Sequence, residues 1–300
     1  MASSQVFNVL TDFSATSANA LHYAMVLAKH VKARINLIHV IPSAAERGVG
    51  SVWTMPTPAP TPAQATDMLQ ILARQVEQQV PCTYEVLYGA AAPSLPQLLE
   101  HTGNSVTVVG NAFPQKPTAA TTSSSVALHL IRMVQQPLLV VPLTYSYRGL
   151  PRRVVLGTDR LPVRLPHSAR LVPELLAQLV SNSEPMLLSE APGDVDQLLS
   201  RLIPAVVGIH VYTSEHSPLM AEVADEIQNM GLLEGVAHTV STSRYPCIEQ
   251  GIRYAAAREG ADMLSFVARQ KTYSDALFYT SVAARLIASS RIPVLTCPEA

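Results

Sequence analysis

The sequence predicts an α/β protein made of two similar halves, each a five-stranded parallel sheet flanked by helices. Three observations predict it. Apolar strand-like runs alternate with helix-like periodicity along the chain. A long segment occurs twice: SSVALHLIRMVQQPLLVVP, ending at Pro142, returns as TSVAARLIASSRIPVLTCP, ending at Pro298. Ser125, Val126, Ala127, Leu130, Ile131 and Pro137 recur as Ser281, Val282, Ala283, Leu286, Ile287 and Pro293, all at one offset of 156 (281 minus 125). Finally, VLTD at Asp12 returns as LGTD at Asp159, and LIHV at Val40 as GIHV at Val211, in the same order. A repeat of this length means two homologous domains. We place them at residues 1–146 and 147–300, with the boundary in TYSYRGLPRR, where Gly149 and Pro151 break regular structure.

In the first half, Val6–Leu10 is a continuous apolar run, as a strand buried on both faces requires. Ser14 can cap the next helix, whose Leu21, Ala24, Ala28 and Val31 share a face. Ile35–Ile41 is the second strand, followed by a helix near Gln64–Gln79 with Met68, Leu69, Leu72 and Val76 on one side. Thr83–Leu87 is the third strand, closed by Gly89. Leu95, Leu98 and Leu99 mark a short helix, Val106–Val109 the fourth strand, Ser125–Val134 a helix and Leu138–Val141 the fifth strand. The second half repeats the order. Its strands are Val154–Leu156, Ala205–Val211, His238–Ser241, Met263–Val267 and Val294–Thr296. Leu219–Met230 is helical, and Ile248, Ile252, Ala255 and Ala256 share a helix face.

The halves differ in length. Asp12 to His39 is 27 positions and Asp159 to His210 is 51, so the second half holds about 24 more residues (51 minus 27). We assign this surplus to an insertion near 182–204, read as an added strand or helix pair. The first half has its own proline-rich stretch, 43–62, read as an extended surface loop.

Composition narrows the function. Hydrophobic residues are 48% and charged residues 14% of the chain, enough apolar material for ordinary cores. A net charge of -1 gives no basic field for nucleic acid. No apolar run has transmembrane length, and MASSQVFNVLTDFS lacks the pattern of a secretory leader, so a cytoplasmic protein without a membrane partner is expected. Cys82, Cys247 and Cys297 lie far apart, with no metal-ligand spacing, and are expected as buried, reduced thiols. HExxH, a Walker lysine motif and GxSxG are all absent, so neither a metal site nor a catalytic residue is signalled.

The segments VLTDFSATSANAL, INLIHVIP, Gly89, VTVVG and SSVALHLIRMVQQPLLVVP resemble the universal stress protein family. In the second half, VVLGTD, GIHVYT, ADMLSFVARQKTY and TSVAARLIASSRIPVLTCP carry the same resemblance, which suggests the tandem form. It implies a fold of adenine-nucleotide-binding ancestry, with ATP or AMP and Mg as the cofactors to consider. Nucleotide-binding members carry an acidic residue after the first strand and G-x2-G-x9-G-[S/T] after the fourth. The glycines let backbone approach phosphates, and a helix N-terminus favours their charge.

The chain departs from that motif. In the first half Gly110 keeps the first glycine, Phe113 replaces the second, and Ser124 stands one residue late at the third; Ser125 keeps the hydroxyl. In the second half Val267, Gln270 and Thr280 replace the glycines, and Ser281 remains. The candidate nucleotide residues are therefore Asp12, Val40, Gly110, Ser124, Ser125 and Val126, with a degenerate second set of Asp159, Val211, Thr280 and Ser281. The hydroxyl-rich TAATTSSS before Val126 is a candidate substitute cradle. Each has a plain alternative. Asp12 can be a turn and helix cap; the serines a solvated loop; Arg269 and Lys271 solvated surface rather than an anion site; His39 and His210 structural; Glu222, Asp225 and Glu226 the wet face of a helix.

The resemblance also implies that the last strands, Leu138–Val141 and Val294–Thr296, form the seam of an internal pseudo-dimer, and that two chains can pair further. Two functions follow. The leading one is a non-catalytic stress-response protein that binds a protein partner or small ligand, with weak or no ATP binding. The other is an adenine-nucleotide switch using the first site, with slow hydrolysis, since no general base is visible. An enzyme acting on an adenylated substrate ranks below both, because fold does not fix chemistry.

Overall fold

A computed structural model describes residues 5–41, 60–88, 95, 99, 104–112, 126–146, 149–181, 205–215, 217–269 and 281–299. The first half supplies β1 (Val6–Leu10), α1 (Ala15–Val31), β2 (Arg34–Ile41), α2 (Pro62–Glu77), β3 (Cys82–Tyr88), β4 (Ser105–Asn111), α3 (Val126–Met133) and β5 (Leu138–Pro142). The second supplies β6 (Arg153–Thr158), α4 (Leu171–Ser181), β7 (Ala205–Tyr212), α5 (Met220–Asn229), β8 (His238–Arg244), α6 (Ile248–Arg258), β9 (Met263–Ala268), α7 (Val282–Ser289) and β10 (Val294–Pro298). Predicted and observed elements agree to within two residues at nearly every end. At α2 the difference has a clear cause. Thr61 and Gln64 form a capping box and Pro62 occupies the first turn, so the helix starts ahead of its apolar stripe. α4 was not read from the sequence. The predicted insertion at 182–204, nearly all of the 43–62 loop, and Gly89 lie outside the described residues.

All ten strands form one sheet in the order β3-β2-β1-β4-β5-β10-β9-β6-β7-β8. Every pairing within a half is parallel, and the single antiparallel pairing is β5 with β10. The predicted seam is therefore a strand pair, with Leu139 opposite Leu295 and both fully buried. Helices cover both faces, which explains why β1, β5 and β10 are buried at every position. On one face Phe7, Leu27, Leu69, Leu156, Leu176 and Ile227 belong to a continuous core. On the other, Ile38, Leu99, Leu128, Ile209, Phe266 and Leu286 do the same. Both cores run across the seam. There Asn111 Nδ2 donates to the Ile287 carbonyl at 3.0 Å, and His30 Nε2 to the Gln178 carbonyl at 3.2 Å.

In each half the strand order reverses once, between β1 and β4 and between β6 and β9. Such a switch opens a crevice beyond the carboxyl ends of the strands, where ligands of open α/β sheets sit. Asp12 and Gly110 stand at the first crevice, Asp159 and Val267 at the second.

Candidate functional site

The two crevices begin alike. Thr-Asp ends or follows each strand, and then comes a residue with positive φ: Phe13 at 62° and Arg160 at 65°. Left-handed backbone at bulky residues is costly and persists only where surrounding bonds hold it. Here they do. Thr11 Oγ1 accepts from Phe13 N at 3.1 Å and Thr158 Oγ1 from Arg160 N at 3.0 Å. A histidine on the neighbouring strand locks the preceding carbonyl: His39 Nδ1 donates to Thr11 O at 2.7 Å, His210 Nδ1 to Thr158 O at 3.1 Å. Burial pushes the His39 pKa down, against the pull of the Thr11 carbonyl and Asp12. A carbonyl can only accept, so both rings hold their proton on Nδ1.

Beyond this shared turn the crevices diverge. In the first, α1 begins at once. Asp12 Oδ1 accepts from Ser14 N at 3.0 Å and from Ser14 Oγ at 2.5 Å, and Ser14 Oγ caps the helix by accepting from Ser17 N at 3.2 Å. The carboxylate thus forms the turn that starts the helix. Gly110 explains how the helix fits. A Cβ there would lie 2.5 Å from the Thr16 carbonyl oxygen and 2.7 Å from Thr16 Cγ2. The glycine that the motif reserves for phosphate is used here for the close approach of α1. Val40 is buried in the core. The crevice bounded by Leu10, Asp12, Ser14, Thr16, Gly110 and Val126 is about 50 Å³, room for only a few waters.

In the second crevice the chain does not turn into a helix. From Asp159 to Pro166 it has no regular structure, then makes a 3-10 turn at His167–Arg170 before α4. The surplus expected near 182–204 is not all there: α4 starts later after Asp159 than α1 does after Asp12, so part of it lies in this detour. Val267 fills the position of Gly110, so the close approach seen in the first half is barred. Asp159 keeps the turn bond, accepting from Leu161 N at 3.2 Å, but both its oxygens are also held by Arg269, from Nε at 3.0 Å and Nη2 at 2.6 Å. Burial pushes the Asp159 pKa up, and the bonds and charge of Arg269, with the Leu161 N–H, more than reverse this, holding it below the usual carboxylate range.

Arg269 is saturated. A guanidinium has five N–H donors. Nε and one Nη2 proton go to Asp159, the other Nη2 proton to Leu161 O at 2.7 Å. The two Nη1 protons go to Pro162 O at 2.7 Å and Glu299 Oε1 at 2.5 Å. The expectation of solvated surface at Arg269 is corrected: its side chain is only 13% exposed and pins the detour in place. Nearby, Arg160 pairs with Glu222 and Glu226, so those two acids are not merely a wet face.

The detour leaves space. A cavity of about 460 Å³ lies among Gly157, Asp159, His210, Val211, Phe266 and the start of α7, and reaches Ile131 of the first half. That size falls within the usual range for small-molecule pockets, roughly 300–1,000 Å³. Val211 is buried against α6, and Ser281 caps α7, its Oγ accepting from Ala284 N at 3.2 Å. Ser124, Ser125 and Thr280 lie outside the described residues, as does Lys271; Val126 opens α3.

The sequence profile of the universal stress protein family matches residues 5–142. The first half of the chain is a universal stress protein domain. The second half repeats its topology. A universal stress protein from Archaeoglobus fulgidus DSM 4304 is similar over 98% of this chain and 96% of its own, with 14% identity and a TM-score of 0.61. A functionally unknown protein from Pseudomonas aeruginosa PAO1 is similar over 98% of this chain and 92% of its own, with 12% identity and a TM-score of 0.56. At such identities the likeness shows the fold: the universal stress protein fold, twice in one chain. A sequence search of curated proteins finds no match.

Among the described residues no group of three or more His, Cys, Asp or Glu is placed to hold a metal ion. No helix there is long and apolar enough to cross a membrane. The three cysteines are free, but only Cys297 is fully buried, which corrects the expectation for Cys82 and Cys247. Burial pushes the Cys297 thiol up to about 12; burial and Glu77 push Cys82 up to about 11.

Proposed function

We propose that the chain is a non-catalytic, cytoplasmic stress-response protein that acts by holding a small ligand or a protein partner, with weak or no ATP binding. In this reading residues 1–146 and 147–300 are two domains, and further pairing of two chains is open to them. The observation that carries the reading is that both acidic residues at the strand ends already have partners. Asp12 forms the turn that starts α1, and Asp159 is clasped by Arg269. A ribose or adenine would have to share Asp12 with the turn that starts α1 and compete with Arg269 for Asp159. Gly110 supports the same reading, since its missing side chain accommodates Thr16.

Calorimetric titration with Mg-ATP, ADP and AMP tests it, beside Asp12→Ala. The expected result is no saturable binding, or binding weaker than about 100 μM, unchanged in the variant. Micromolar binding abolished by Asp12→Ala would instead establish the switch reading, with Asp12, Val40 and Gly110 at the site.

A further inference from the structure

We propose that the cavity of the second half binds an uncharged, apolar small molecule, an occupant unlike a nucleotide. The proposal rests on the nucleotide-poor reading above and names the ligand class that replaces it. Three features of the cavity point to this chemistry.

Its walls are largely apolar. Ile131, Met230, Ile252, Phe266 and Leu286 line it, each from a different element and all but Met230 drawn from the core of one sheet face. Its size suits a ring system or a branched aliphatic body. Two of the three charged residues that line it, Asp159 and Arg269, are paired with each other. Asp159 and Glu299 are paired with Arg269, and the five donors of Arg269 all have protein acceptors. A phosphate, sulfonate or carboxylate entering the cavity would find no free donor on Arg269. Only the Ser281 hydroxyl and the first N–H groups of α7 would remain there to replace its hydration. Arg285 lies at the exposed rim, where its charge is screened by solvent. A neutral apolar body loses little on entry and gains the burial of its surface.

A matched pair of fluorescent probes tests the charge preference directly. N-phenyl-1-naphthylamine and 8-anilinonaphthalene-1-sulfonate share one aromatic body and differ by a sulfonate. With the full chain, the neutral probe is expected to bind saturably, one molecule per chain, at least about tenfold tighter than the anionic one. Two variants locate it. Ala283→Phe fills the cavity from the first turn of α7, and Ile248→Glu sets a charge on a partly exposed lining residue at the start of α6. Each should weaken the neutral probe by about tenfold or more, with far-UV circular dichroism and cooperative unfolding unchanged.

Absence of saturable binding by the neutral probe overturns the proposal. So does equal or tighter binding of the sulfonate, or wild-type affinity in whichever variants remain folded. ATP that displaces the probe overturns both this inference and the nucleotide-poor reading. ATP that gives heat without displacing the probe overturns only that reading.

Discussion

The two crevices share a strand end, a threonine, an aspartate, a left-handed residue and a histidine lock, yet one leaves a space of about 50 Å³ and the other about 460 Å³. In the first, Gly110 lets α1 pack against β4 directly after Asp12. In the second, Val267 stands at that position, the chain detours to Pro166, and Arg269 fastens the detour to Asp159 and Glu299. Duplicated frames thus diverge through a few contacts at the strand ends, while the seam between β5 and β10 keeps the halves in one sheet. A Cβ at the Gly110 position is incompatible with the approach of α1, and where Val267 stands the corresponding helix starts later.

Exchange of the two residues is the strongest way to break this account. Gly110→Val places side-chain atoms where the Thr16 carbonyl lies, and a backbone neighbour cannot swing aside. The expected cost is about 3 kcal/mol, the upper part of the range for overpacking, read as a lower urea midpoint. Val267→Gly removes a half-buried side chain from a strand end and should cost only about 1 kcal/mol. Equal costs would show that Gly110 is not what seats α1.

The cap at α1 sharpens the same comparison with a smaller effect. Ser14 serves both Ser17 N and Asp12, whereas the 3-10 turn of the second half begins at Pro166 with no side-chain cap. Ser14→Ala should cost about 1 kcal/mol, while Ser168→Ala, beyond the cap of the other half, loses its bond to the Gln135 carbonyl instead. Hydrogen exchange separates them: the first variant should speed exchange at the start of α1, the second should leave α1 unchanged.

The sequence carried the duplication and nearly every strand, because buried parallel strands read as short apolar runs and a repeated segment reveals itself. It carried Ser14 as a cap for the same local reason. It could not carry the clasp between Asp159 and Arg269. Those residues are far apart in sequence, and no period reports which carboxylate a guanidinium will meet. Gly110 was legible only in part. A glycine at a strand end announces that some backbone comes close, and the motif suggested a phosphate; the structure shows the carbonyl of Thr16. The delayed start of α4 follows from contacts of the same kind.

The clasp itself gives the last and smallest test. Arg269 holds the Asp159 carboxyl below its usual range, so the pair stabilises the fold fully above the unfolded pKa of about 4 and less as pH falls through the folded value. Asp159 is 46% exposed, so solvent screens the pair and its share is about 1 kcal/mol or less. Arg269→Ala should therefore lower the melting temperature at pH 7 by a few degrees at most. The gap to wild type should narrow on going toward pH 3 without closing, since the bonds from Arg269 to the Leu161 and Pro162 carbonyls do not titrate. Arg269→Lys retains the charge but not the fork, and should keep part of the pH dependence while losing most of the carbonyl contribution. A gap that stays constant from pH 7 to pH 3 would mean that Asp159 does not feel Arg269 in solution. The second carboxylate would then be as available as a turn aspartate can be, and the difference between the crevices would rest on Val267 alone.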